Sequence, residues 1–246
     1  MRGFVRSAGE VSALLYPRGV SMFWLAPAVL ALVVIPEFAQ HVVEIRLGMF
    51  ESSEAARTIQ NDPTRWAFGY VKVAGLVLTF LAAARFWWTR EHGGRWWDVR
   101  DLAWSRLALG ALIVFGVGSL PELLRGTFDS KTVTIIGAVW MLLTLPGLFI
   151  LLAGLFGDRT TPIAAMWRWG WPWLLLTAVL LVLAFAPASW LHGMNHRWTM
   201  GAGPLKLWGL MIWDSVLVGL LAGLVGTALH LGYAAFSTHQ SAPAAE

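Results

Sequence analysis

The chain has 246 residues, of which 57% are apolar and only 13% charged, with a mean hydropathy of +0.63. That balance excludes an ordinary soluble domain, in which about a quarter of residues carry charge, and it fits a chain that crosses a bilayer several times. The formal net charge of +4 would suggest nucleic acid for a soluble protein, but here Lys and Arg lie between apolar runs, where they set topology and meet lipid headgroups.

With no cysteine, disulfides, thiolate catalysis and Cys-ligated metals are excluded. A bilayer core of about 30 Å takes roughly 20 apolar helical residues per crossing, so the length accommodates six crossings with short loops. Residues 1–20 carry Arg2, Arg6 and Arg18 around a weakly apolar stretch and read as a basic interfacial segment. The first span is expected over residues 21–38. Cleavage as a signal peptide is rejected, because Glu37 would occupy a position that needs a small neutral residue.

Residues 45–64 form the longest loop, in which Ser52-Ser53-Glu54 predicts a short surface helix over 53–60. Asn61-Asp62-Pro63 caps the second span, 64–86, with proline at the first helical position. Residues 85–106 hold Arg85, Arg90, Arg95, Arg100 and Arg106 interleaved with five tryptophans, and helix is expected to resume over 96–106. The third span covers 102–120 and ends at Pro121. The fourth, 132–156, is expected to kink at Pro146-Gly147. A short helix over 161–168 leads into the fifth span, 169–190, and the sixth runs 205–233. The tail 237–246 is small, polar and expected to be disordered. The whole is an all-α integral membrane domain over 21–236.

With the N-terminus inside, inner segments hold ten Lys and Arg and outer loops seven. The positive-inside rule therefore predicts N-in and C-in, with a bacterial inner (plasma) membrane as the expected site. Three apolar runs meet a proline and then turn polar, at Pro36, Pro121 and Pro187. Hairpins beginning near 21, 102 and 169 suggest a threefold repeat, with Lys72-Val73-Ala74-Gly75-Leu76 echoed by Lys206-Leu207-Trp208-Gly209-Leu210.

Leu145-Pro146-Gly147-Leu148-Phe149-Ile150 followed by Pro162-Ile163-Ala164-Ala165-Met166-Trp167-Arg168 resembles the pattern of YciC-like proteins and glycerophosphodiesterase membrane domains, over about residues 143–175. What the resemblance implies is a six-helix membrane domain without catalytic residues of its own.

The polar residues carry the remaining information. Glu37, His41 and Glu44 fall at i, i+4 and i+7, one helical face, with Gln40 beside it. His192 and His196 repeat the i, i+4 spacing by which two ligands reach one ion, although Gly193 and Asn195 suggest that their helix has ended. These five are the candidate ligands of a divalent metal, zinc being the plainest choice, set against solvated polar residues at a helix end. Lys72 and Asp214 lie well inside their spans, where a charge costs about 2.5–3.5 kcal/mol and must find a partner. Asp214 is the first candidate partner of Lys72, then Glu37 or Glu122. His230 reads as interfacial, and no haem-ligand pair is found.

Three functions are open from sequence. The first is a non-enzymatic accessory or assembly subunit that contacts lipids, other membrane subunits or its own copies. The second is a small solute or proton-coupled transporter using Glu37, Lys72, Glu122 and Asp214. The third is a metal-binding membrane enzyme or protein built on the outer-face Glu and His residues.

Overall fold

The computed structural model describes residues 2–241, with side chains over 8–240. Ten α-helices run through them: α1 Arg2–Leu25, α2 Pro27–Arg46, α3 Ser53–Ile59, α4 Pro63–His92, α5 Trp104–Ala111, α6 Ser130–Thr144, α7 Pro146–Phe156, α8 Ile163–Trp169, α9 Trp171–Thr199 and α10 Pro204–Ser241. A π-helix, Leu112–Val117, and a 3₁₀ turn, Leu120–Leu124, prolong α5. Among the described residues there is no β-strand, only an isolated bridge between Arg125 and Phe128.

Among the described residues, five helices are long and apolar enough to cross a membrane, Pro27–Arg46, Pro63–His92, Trp104–Leu124, Trp171–Thr199 and Pro204–Gln240, or up to six if α6 and α7, bent by 43°, form one span. The bend falls at Leu145-Pro146, beside the expected kink, because proline removes a backbone donor and its ring clashes with the preceding turn.

Several boundaries differ from those the sequence suggests. Residues 1–20 do not stand apart: α1 runs to Leu25, and the break comes at Ala26, with Pro27 opening α2. Pro36 and Pro187 lie inside α2 and α9, which run on past the expected ends at 38 and 190. Helix does not resume at Trp96; Val99–Asp101 is a 3₁₀ turn, and α5 starts only at Trp104. Ala103 leaves the helical region and donates its N–H to Gly154 O at 2.9 Å. At the other end α10 continues through Ser241, past the expected start of disorder, and residues 242–246 lie outside the described residues.

The chain forms two compact units, which do not follow three successive hairpins. One comprises Gly9–Trp87 and Leu180–Ala228. Its core joins Val33 of α2 with Val218 and Ala222 of α10, and Leu76 and Phe80 of α4 pack onto them. Gly75 makes this packing possible: a Cβ there would stand 2.2 Å from the carbonyl oxygen of Leu32. Small residues at helix crossings let backbones approach where lipid removes the usual hydrophobic drive. Trp87 Nε1 donates to Thr227 Oγ1 at 3.0 Å, and Tyr16 OH to Leu183 O at 2.7 Å. Two sequence-expected caps position the entry to α4. Ser52 Oγ accepts from Ala55 N, and Asp62 Oδ1 accepts from the N–H groups of Thr64 and Arg65.

The other unit, among the described residues, comprises 2–8, Trp88–Val179 and 229–241. Its centre is α7, whose Phe149, Ile150, Leu152 and Ala153 are fully buried. Phe149 rings pack on Tyr233 and Phe236 of α10. After α7, Gly157 takes a left-handed φ of 74°. Asp158 then gathers the N–H groups of Thr160 and Thr161, the Thr161 hydroxyl at 2.6 Å and the Tyr233 hydroxyl at 2.6 Å. Partial burial pushes the Asp158 carboxyl up, but the hydrogen bonds from Thr161 and Tyr233 outweigh it and hold the group well below the usual carboxylate range. His230 is buried, with Nε2 3.0 Å from Glu91 Oε2.

Candidate metal centre

The first unit holds a buried polar cluster at one end of its apolar helices. Because Pro36 does not end α2, Glu37, Gln40, His41 and Glu44 project from one continuous helical face, and all four are buried. Because α9 continues to Thr199, His192, Asn195 and His196 likewise share a face. Asp214 reaches the same place from α10, where its side chain is fully buried.

Asp214 is the hub. Its Oδ2 lies 3.1 Å from His41 Nε2, 2.7 Å from His192 Nδ1 and 3.7 Å from His196 Nε2. Its Oδ1 accepts a hydrogen bond from Asn195 Nδ2 at 2.8 Å. Glu37 Oε1 stands 3.3 Å from His41 Nε2. Two ligand sets have their donor atoms all within 4.8 Å of one another: His41, His196 and Asp214, and Glu37, His192 and Asp214. Around a tetrahedral zinc with bonds of about 2.0–2.1 Å, ligand atoms stand roughly 3.3 Å apart, so these separations suit a shared ion. The short approach of His192 Nδ1 to Asp214 is off the line a hydrogen bond needs, leaving that nitrogen without a hydrogen-bond partner.

Behind the ring of donors is a second layer. His41 Nδ1 faces Glu44 Oε2 at 3.2 Å. Glu44 Oε1 accepts from Arg65 Nε at 2.8 Å and from Gln40 Nε2 at 3.0 Å. A carboxylate on the far nitrogen of an imidazole fixes its tautomer and raises its basicity, the usual support for a ligating histidine. Phe50 stacks on His196 with ring centroids 5.8 Å apart. Three acidic side chains, Glu37, Glu44 and Asp214, meet two basic ones, Arg65 and Lys72, a formal excess of one acid that favours a further cation.

All five sequence-expected ligands are therefore brought together, with Glu44 one layer back. The buried charges are arranged differently from expectation. Lys72 Nζ pairs with Glu37 Oε1 at 3.4 Å, and Asp214 is taken by the histidines and Asn195. Glu122 partners neither: its half-exposed carboxylate pairs with Arg125, in the other unit. Sequence reasoning missed Arg65, which counted only as a loop cation, and Asn195, which counted as a helix breaker. The cap at Asp62-Pro63 was the available signal, since it places Arg65 in the first turn of α4.

No known family, curated protein or solved structure matches the chain. Its class is thus defined by the fold itself: an all-helical protein with several apolar helices of membrane-crossing length.

Proposed function

We propose that this is a multi-span membrane protein built around a divalent transition-metal centre, with His41, His192, His196 and Asp214 as ligands and Glu37 completing or exchanging in the set. The observation that carries the reading is Asp214 Oδ2, faced by three imidazole nitrogens at 2.7, 3.1 and 3.7 Å. Imidazole and carboxylate without thiolate suit zinc, iron, manganese or cobalt, and are a poor set for copper(I). Glu44, Arg65, Gln40 and Asn195 orient the ligands. Lys72 holds Glu37 in place by charge. The N-in, C-in orientation in a bacterial plasma membrane puts the centre at the outer face, and the short loops leave the membrane faces for lipids and other subunits.

Protein purified without a polyhistidine tag should carry close to one equivalent of transition metal by elemental analysis, and His41→Ala/His192→Ala protein less than a tenth of that. Parent protein that folds, yet neither retains metal nor takes it up on addition of zinc, iron or manganese, contradicts the reading. A single cysteine at Ser52 should react with an impermeant thiol reagent on intact cells; protection there would reverse the orientation.

A further inference from the structure

We infer that the exchangeable ligand of this metal centre is the polar head of an amphiphile, bearing an anionic oxygen donor, which enters from the headgroup layer past His192 and His196. The inference rests on the metal reading above and concerns what the metal meets.

The centre is sealed on one side and open on the other. Glu37, His41 and Asp214 are at most 1% exposed, whereas the side chains of His192 and His196 are 28% and 25% exposed. The open side falls near the ends of the helices that build it. α9 has 29 residues, roughly nine more than a bilayer core requires, and its last two turns carry both histidines. Glu44 stands two residues from the end of α2, and Arg65 two residues from the start of α4. Exposed aromatics occur at the same helix ends: Trp66 and Tyr70 on α4, Trp198 on α9 and Trp208 on α10. Tryptophan and tyrosine settle where an apolar ring and a polar tip are both satisfied, which is the membrane–water interface.

An apolar pair stands as a wall on α2 and α10, the helices that carry His41 and Asp214. Phe38, one turn from His41, meets Trp208 with ring centroids 6.3 Å apart, and both rings stay partly exposed. A fully aqueous anion gains nothing from that wall. A ligand with a hydrocarbon chain gains by laying it along Phe38 and Trp208 while its head reaches the metal, since binding scales with apolar area buried.

The test uses cobalt-loaded protein in bilayer nanodiscs, with acetohydroxamate and octanoyl hydroxamate as probes. Both present the same chelating head and differ in chain. Affinities are read from the cobalt visible spectrum and corrected for partition of each probe into empty nanodiscs. After correction, octanoyl hydroxamate should bind about tenfold tighter or more, and Phe38→Ala/Trp208→Ala protein should lose most of that preference with its cobalt spectrum unchanged. Equal corrected affinities would overturn this inference and leave the metal centre standing. Absence of any protein-bound cobalt spectrum would remove the metal centre, and this inference with it.

Discussion

His41 Nε2 and Asp214 Oδ2 lie 3.1 Å apart across 173 positions of sequence. The pairing explains how a carboxylate about ten residues inside an apolar helix is tolerated. An isolated charge at that depth costs several kcal/mol, and here it faces three histidines and an asparagine. It also ties the chain's second helix to its tenth, so that the centre depends on both ends of the sequence.

The Arg65–Glu44 bond should matter for metal affinity more than for stability. Arg65→Leu leaves Glu44 held only by Gln40 and His41 itself, and loosens the orientation of His41. Loss of such a supporting contact typically lowers metal affinity about 10–100-fold. Titration against a chelating dye measures this, and Arg65→Lys should recover part of the loss. An affinity equal to the parent would show that Glu44 does not act through His41.

Lys72 should be a stability residue. Lys72→Leu strands Glu37 in a buried site, and because the Lys72 side chain is a quarter exposed, the cost should be about 1–2 kcal/mol and not the larger penalty of a fully buried pair. Replacing both Lys72 and Glu37 by leucine should restore most of it. The comparison is made by thermal unfolding of metal-free protein in detergent. A Lys72→Leu variant that melts with the parent would mean that Glu37 does not rely on Lys72.

Acid should weaken the Asp158 cap. Its folded-state pKa is lowered, so its contribution is present above the unfolded carboxyl range near about pH 4 and is lost as pH falls through the folded value. Asp158→Ala should cost about 2 kcal/mol at pH 7, and the gap between parent and variant should narrow on acidification below about pH 4. Melting temperatures from pH 7 to pH 3 provide the check. A gap that stays constant or widens would contradict the hydrogen-bonded carboxylate.

Much of this was readable from sequence, and the failures have physical causes. The apolar runs and the caps at Ser52 and Asp62 fixed most elements, because span length and first-turn chemistry are local. The expected spans stopped at 38 and 190, just past Pro36 and Pro187, whereas a long apolar helix can absorb the one backbone hydrogen bond that proline removes. Reading Gly193 and Asn195 as the end of the helix hid the continuity that puts His192 and His196 on one face. The i, i+4 spacings still picked out side chains that meet around Asp214, but no local pattern pairs Asp214 with histidines over lysine. That choice is made by helix packing, through approaches such as Gly75 on Leu32.

X-ray absorption at the metal edge of zinc-loaded protein tests the central claim most directly. The account predicts a four- to five-coordinate ion with nitrogen and oxygen neighbours at about 2.0–2.2 Å and the multiple-scattering signature of two to three imidazoles, reduced by one imidazole in His196→Ala. A shell of water and carboxylate oxygens alone, unchanged in that variant, would contradict it.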